Sequence, residues 1–316
     1  MDRFDLPPID DIVAATLAED LGVPASRLLA AARGEGEPGL VARDATGAVL
    51  LDASTFSGLV RARETGVACG LPVAARAFEM FAEAVGRPDD VDVFPLVAEG
   101  SDVSAGDAVL EVSGSARLVL AAERSALDLL MTLCGIATQA RAWQAAAGPS
   151  LAVYDTRKTW PGLRALSKYA ARVGGAHNHR LGLWDALLVK DNHVRCAGGV
   201  AAAVSAARAA HPDLVLEVEA DTVEQALEAA RAGADVVLLD NMDDATLAAA
   251  VSAVREAAAG RAVLTEASGG VTLERLPGIA AAGVDRVSSS ALTLAAPLDL
   301  GLDEKRAGCR EGGVSS

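Results

Sequence analysis

The chain has 316 residues, is 51% hydrophobic and is acidic, with a formal net charge of -15. That length allows one large domain or two smaller ones around a sizeable core. No apolar run reaches the roughly 18 residues of a membrane span, and an acidic chain lacks the basic balance usual in nucleic-acid-binding domains, so neither a membrane nor a nucleic acid is an expected partner. The opening MDRFDLPPIDD lacks the basic and then apolar pattern of a secretion signal, which makes a cytoplasmic location the expectation. Cys69, Cys134, Cys196 and Cys309 are widely spaced and form no CxxC pair, a pattern of reduced thiols rather than of a zinc site.

In chain order, Asp10 opens a helix with Ile12, Val13, Leu17 and Leu21 on its apolar face and Gly22 at its end. A second short helix runs from Ser26 to Ala32, then a turn, GEGEPG. Between Leu40 and Gly70 the short apolar runs LVARD and AVLLD predict strands. Pro72 to Val85 reads as a helix, and Val91 to Gly114 as strands turning at SAGD, residues 104–107. The first third is thus a small mixed α/β unit. Ala121 to Gly135 is a helix with Leu127, Leu130 and Leu133 spaced for burial, bridging to the second domain.

After Gly148 the rhythm is strand, loop, helix, repeated. Apolar runs at 151–154, 186–189, 214–218, 236–239, 262–265 and 284–287 alternate with helical patterns at 162–172, 200–210, 222–232, 243–258 and 272–281. Such βα units build a parallel sheet with helices outside, either open or closed as a barrel, and their functional residues gather at the C-terminal ends of the strands. Those ends carry, in order, Asp155, Arg157 and Lys158; Lys190, Asp191 and Asn192; Glu217 and Glu219; Asp240 and Asn241; Glu266 with Ser268-Gly269-Gly270; and Ser288-Ser289-Ser290.

Charge is concentrated in one place. Residues 155–193 hold seven Lys and Arg against three Asp, a local charge of +4 in an acidic chain, and three of its four histidines. Locally focused positive charge of this kind suits a polyanionic small molecule. Arg157, Lys158, Arg180 and Lys190 are the candidates, with guanidinium forks for carboxylates and phosphates, whereas Arg164, Lys168 and Arg172, at i, i+4 and i+8, read as a solvated helix face. Glu219 and Asp240 end consecutive strands and suit either a Mg2+ ion or counter-ion roles for the cations. The SGG and SSS strand ends suit phosphate binding through backbone N–H groups. His177 and His179, two residues apart, lack a helical metal-ligand spacing and fit as donors to an anion.

These residues carry a resemblance. ERSALDLL (123–130), the block DTRKTWPGLRALSKYAARVGGAHNHRLGLWDALLVKDNH (155–193), EVEA (217–220), GADVVLLDNM (233–242) and EASGGV (266–271) are similar to the type II phosphoribosyltransferases of NAD biosynthesis, the quinolinate phosphoribosyltransferase (nicotinate-nucleotide pyrophosphorylase) family. The resemblance covers roughly Ala105 to Asp299. It implies an N-terminal α/β sandwich domain (1–120), a C-terminal α/β barrel of about six parallel strands (121–300) and a tail (301–316). It also implies a homodimer whose sites are shared between subunits, and the decarboxylating transfer of phosphoribose from phosphoribosyl pyrophosphate to quinolinate with Mg2+ as cofactor. Arg157, His179, Arg180 and Lys190 would hold the two carboxylates, together with Arg124 of the partner. Lys158 would contact phosphoribosyl pyrophosphate, Glu219 and Asp240 would approach the ribose and the Mg2+, and Ser268, Gly269, Gly270, Ser288, Ser289 and Ser290 would take the 5'-phosphate. The catalytic set is then Lys158, Lys190, Glu219 and Asp240.

The chain departs from the family at Asp128, where asparagine is usual, and in the SSSALTL run, where Ser290 replaces a glycine and Leu294 a histidine. The GDxT usual after LAEDLG is absent, and Trp160 and Trp184 are large for their positions. These departures leave two alternatives: transfer to another pyridine or aromatic acid, and a non-catalytic metabolite-binding relative.

Overall fold

The computed structural model describes residues 5–34, 36–51 and 54–305. Its contacts divide it into two units, Leu6–Gly135 with the segment from Ala296 onward, and Ile136–Ala295 with Asp5. The first unit begins with α1 (Asp10–Leu21), α2 (Ala25–Arg33) and α3 (Ala45–Leu50). Then come β1 (Thr55–Ala62), β2 (Gly66–Val67), α4 (Leu71–Ala84), β3 (Val91–Pro95), β4 (Asp102–Val103) and β5 (Ala108–Ser115). Val13, Ala14, Leu17, Ala18 and Leu21 recur at helical spacing on the buried side of α1. The core is centred on α4, which buries Phe78, Met80 and Phe81. The Glu99 carboxylate accepts the Gly70 and Leu71 N–H groups at 2.9 and 2.7 Å, placing negative charge at the positive end of that helix. The LVARD and AVLLD runs are corrections: Pro38–Arg43 is a short 3-10 helix, and 45–50 is helical, because the Asp44 side chain accepts the N–H groups of Thr46 and Gly47 at 3.1 and 3.0 Å and nucleates a turn.

Two cysteines far apart in sequence meet in this core. The Cys134 Sγ accepts the Cys69 N–H at 3.3 Å. Burial pushes the Cys69 thiol well up and that of Cys134 to about 12, so both behave as inert core thiols. Cys309 lies outside the described residues.

A single helix, α5 (Ala116–Ala147), contributes residues through Gly135 to the first unit and from Ile136 to the second. The division therefore falls inside a helix rather than near residue 120. A continuous helical pattern serving two cores carries no turn residue to mark the change.

The second unit continues with β6 (Ala152–Tyr154), α6 (Arg164–Val173), β7 (Leu187–Val189), α7 (Asp191–Ala197), α8 (Val200–Ala210), β8 (Leu216–Ala220) and α9 (Val223–Ala232). It ends with β9 (Val236–Asp240), α10 (Asp244–Ala257), β10 (Leu264–Ser268), α11 (Leu276–Ala281) and β11 (Arg286–Ser288). Each of the six apolar runs predicted after Gly148 is a strand. The six pair in the order β6-β11-β10-β9-β8-β7, all parallel. Here the last strand lies beside the first, the cyclic order of an α/β barrel. Beside β6, residue His177 bridges Tyr154, and its carbonyl accepts the Asp155 N–H at 3.0 Å. Helix α7, directly after Lys190, was not expected from the sequence.

The chain then returns to the first unit. β12 (Leu300–Glu304) pairs antiparallel with β1, giving the sheet order β12-β1-β5-β3. Asp303 receives both guanidinium nitrogens of Arg63 at 3.0 and 2.6 Å, and the Lys305 N–H donates to Ser57 O at 2.8 Å. Residues 301–304 are thus an edge strand rather than a tail, and the contacts group 296–300 with the first unit. At the return, a Cβ on Gly135 would sit 2.0 Å from the Ala296 carbonyl oxygen, so only glycine admits this approach.

Candidate active site

The C-terminal ends of the barrel strands surround a pocket of about 210 Å³ lined by Thr156, Arg157, Lys158, His179, Arg180, Leu188, Lys190, Leu238, Ser268 and Ser288. Five of these ten residues bear cationic or imidazole side chains. A neighbouring cavity of about 250 Å³ is lined by Thr156, Lys158, Ser268, Gly269, Gly270, Val271, Ser288, Ser289, Ser290, Ala291 and Leu294. Thr156, Lys158, Ser268 and Ser288 belong to both, so one side of the site is basic and the other is built from hydroxyls and glycine backbone.

Beneath the basic pocket lies a layer of buried, paired charges. Asp155 is fully buried and forms an ion pair with Lys168, which is 3% exposed. It also accepts the Asn178 amide at 2.6 Å and the His179 N–H at 2.9 Å. Burial pushes the Asp155 carboxyl up and the Lys168 ammonium down, and each group's attraction for the other opposes the shift. The Lys168 ammonium donates to His179 O as well, at 2.8 Å. This corrects the reading of Lys168 as part of a solvated face: α6 turns that residue inward, and a charge so buried persists because Asp155 meets it.

His179 stands above this pair. Its Nδ1 accepts the Arg180 N–H at 2.8 Å, and its Nε2 lies 3.0 Å from Glu217 Oε2 and 3.6 Å from Glu266 Oε1. Burial disfavours the imidazolium, yet Glu217 and Glu266 outweigh it and hold His179 above its ordinary value. Because Nδ1 is already an acceptor, the ring carries its proton on Nε2, toward Glu217. Arg286 completes the layer, with Nε 2.5 Å from Glu266 and a terminal nitrogen 3.2 Å from Glu217. Its guanidinium also lies 4.8 Å above the Tyr154 ring. Burial works against the charged Arg286, but the two carboxylates hold its pKa above the usual value. Burial, with the Glu217 charge second, pushes Glu266 up. The ligand atoms of His179, Glu217 and Glu266 lie within 4.8 Å of one another, but Arg286 already supplies positive charge to that trio.

The sequence carries two signals for this layer beyond the strand-end pattern. Glu217 and Glu219 sit two apart on β8 and so share one face, and Arg286 is a charge at the start of β11, between Asp285 and the buried Val287.

The rim is different. Among the described residues, Arg157, Lys158 and Arg180 make no ion pair. The Arg180 guanidinium donates to Ala186 O at 3.3 Å, and burial, with the nearby Arg157 charge second, lowers its pKa. Two guanidinium groups held near each other in a half-buried wall favour an anionic ligand between them. Lys190 is about half exposed and forms an ion pair with Glu219. Its N–H donates to His193 Nδ1 at 3.0 Å, which opens α7.

Asp240 accepts the side-chain amide of Asn241 at 2.6 Å. Asn241 has φ 56° and Gly269 φ 79°, and a Cβ on Gly269 would lie 2.3 Å from Asn241 Oδ1. Gly269 is therefore required for the loop to pass over the end of β9. The Ser288 and Ser268 hydroxyls are 3.2 Å apart.

Arg157, Lys158, His179, Arg180 and Lys190 converge on the basic pocket, and the six Ser and Gly candidates line the neighbouring one. Glu219 touches Lys190, whereas Asp240 lines neither cavity. Arg124 lines neither cavity; it is exposed on α5 and paired with Asp128 at 3.3 Å, the position at which the chain departs from the usual asparagine. Trp160 and Trp184 are exposed and also outside the lining. Thr156, Leu188 and Leu238 line the pocket without having been singled out from sequence.

Fold and site together define an α/β-barrel enzyme with an anion-binding mouth. The chain matches the quinolinate phosphoribosyl transferase C-terminal domain over residues 136–303 and the corresponding N-terminal domain over 44–134. It belongs to the quinolinate phosphoribosyl transferase family. Over 244 residues it is 44% identical to a probable nicotinate-nucleotide pyrophosphorylase (carboxylating) of Synechocystis sp., covering 76% of this chain and 80% of that protein. The Mycobacterium leprae nicotinate-nucleotide pyrophosphorylase (carboxylating) is 42% identical over 79% of this chain and 87% of its own. Among solved structures, NadC from Streptococcus pyogenes superposes with TM-score 0.79 at 35% identity, covering 95% of this chain and 99% of that one.

Proposed function

We infer that this chain transfers phosphoribose from phosphoribosyl pyrophosphate to quinolinate, releasing pyrophosphate and CO2 and forming nicotinate mononucleotide. The observation that carries the reading is the adjoining pair of cavities, one ringed by Arg157, Lys158, His179, Arg180 and Lys190 and the other by Ser and Gly backbone, with Lys158 in both. A planar dicarboxylate suits the first and a phosphate ester the second. In this reading Arg157, Arg180 and Lys190 fix the acceptor through its carboxylates and aim its ring nitrogen at C1 of the ribose. As the bond to pyrophosphate breaks, Lys158 stabilises the departing charge, so positioning and electrostatics supply most of the acceleration. The new C–N bond makes the ring nitrogen cationic. The C2–carboxylate bond then breaks, CO2 leaves, and the electron pair held beside that cation takes up a proton.

Glu219 and Asp240 are hard oxygen donors at the ends of neighbouring strands, and among the described residues no third carboxylate or histidine closes a cage around them. Such a set fits Mg2+, which keeps waters and shares its shell with substrate phosphates. When bound, the ion would neutralise pyrophosphate charge. The reading also includes a homodimer in which Arg124 of one subunit serves the other's pocket. Its exposure on α5 and its absence from the lining of either cavity support that.

The test is pyrophosphate release from phosphoribosyl pyrophosphate with Mg2+ across a panel of pyridine mono- and dicarboxylates, alongside the mass of the protein in solution. Quinolinate as the preferred acceptor, with CO2 evolved one for one with pyrophosphate, is the expected outcome. Preference for another acid, or no turnover, sinks the reading.

A further inference from the structure

Of the two pocket lysines, Lys158 alone lines both cavities. Its side chain is exposed, on a flexible stem, yet its backbone is held at both polar groups by threonine hydroxyls. The Lys158 N–H donates to Thr156 Oγ1 at 3.0 Å, and the Lys158 carbonyl accepts the Thr293 hydroxyl at 2.7 Å. Thr293 is fully buried. A second carbonyl, that of Ser290, lies 3.4 Å from the same hydroxyl, and with one proton to give, the shorter contact takes it. Thr293 sits in the turn after β11. There the Ala291 N–H donates to Ser289 Oγ at 3.2 Å, the Leu294 N–H to Ser290 O at 3.1 Å, and the Ser289 N–H to Tyr154 O at 3.2 Å. The hydroxyl therefore ties the serine turn of one cavity to the loop after β6 that carries the lysine shared by both.

We propose that Thr293 is a positioning residue, which fixes the backbone of Lys158 so that its ammonium meets the phosphoribosyl pyrophosphate bound against the serine turn. The proposal rests on the assignment of this chain as a phosphoribosyltransferase. A valine would fill the same volume, so packing alone does not require the hydroxyl; the carbonyl of Lys158 does. Without it that carbonyl loses its partner and the loop its register with the turn.

The experiment compares Thr293→Val, with Thr293→Ala as a second hydroxyl-free variant, against Thr293→Ser, each alone and combined with Lys158→Met. Steady-state kinetics are read with phosphoribosyl pyrophosphate, quinolinate and Mg2+, and binding of inorganic pyrophosphate with Mg2+ is read by calorimetry. Loss of the hydroxyl is expected to raise the KM for phosphoribosyl pyrophosphate and the Kd for pyrophosphate about tenfold, leaving the KM for quinolinate within about twofold. Serine restores both values, and the effect disappears in the Lys158→Met background, because one residue acts through the other. An effect of equal size in that background, equal loss toward both substrates, or no rescue by serine overturns the proposal. If the wild-type protein binds pyrophosphate but does not turn over quinolinate, the assigned reaction fails, while the calorimetric comparison still decides the role of Thr293.

Discussion

The barrel carries its charges in two layers that obey different rules. In the buried layer Lys168 meets Asp155, and Arg286 meets Glu217 and Glu266. At the mouth Arg157, Lys158 and Arg180 make no ion pair among the described residues. Burial explains the difference. An ion without a partner is very costly in the interior, but at a half-exposed rim water can hold it until a ligand replaces the water. Buried cations therefore set stability, and rim cations set binding.

Substitutions that remove one charge from each layer separate the two. Lys190→Ala is the largest expected effect: turnover falls by about a thousandfold or more, while unfolding free energy changes by less than about 1 kcal/mol, because the side chain is about half exposed. Near-normal activity would remove Lys190 from the site. Lys168→Met, in the buried layer, is expected to cost about 3 kcal/mol of stability by stranding the Asp155 carboxylate. Chemical denaturation reads it, and an unchanged midpoint would mean that Asp155 is neutral in the folded protein. Arg180→Lys keeps the charge at the rim but loses the guanidinium fork, raising the KM for quinolinate about tenfold with stability unchanged. An equal rise in the KM for phosphoribosyl pyrophosphate would count against a carboxylate role.

The two layers also differ in how far the sequence reveals them. The six apolar runs and the polar residues behind them locate the strands and the mouth, because in a parallel barrel strand ends and pocket coincide. The buried layer escapes that rule. Arg164, Lys168 and Arg172 have the same i, i+4, i+8 spacing whether they face water or core, and only the meeting of Lys168 with Asp155, thirteen residues away, separates the cases. Helix α7, DNHVRCA, has too few apolar residues to show a helical period. It forms because the chain leaves Lys190 with His193 accepting its N–H. β12 was missed because LGLDE is too short to declare a strand without β1 beside it.

The smallest expected effect concerns the buried layer's dependence on pH. Burial and the neighbouring Glu217 charge raise the pKa of Glu266 in the folded state. A raised folded value means that the native protein holds this proton to higher pH than the unfolded chain does. The resulting stability is full below the unfolded carboxylate value and is lost as pH rises through the folded one. Glu266→Gln keeps the shape, removes the titration, and leaves Arg286 its contact with Glu217. The decline in unfolding free energy from the ordinary carboxylate range upward should therefore be shallower in the variant. A residual slope of the same sign should remain, since the Asp155 carboxyl is also raised by burial. Denaturant titrations at a series of pH values read the two slopes. Parallel curves would mean that Arg286 balances Glu266 so closely that its proton is held no more tightly in the fold than in water. In that case Glu266, like the cations of the rim, is ionised in the folded protein, and what separates it from them is solvent access alone.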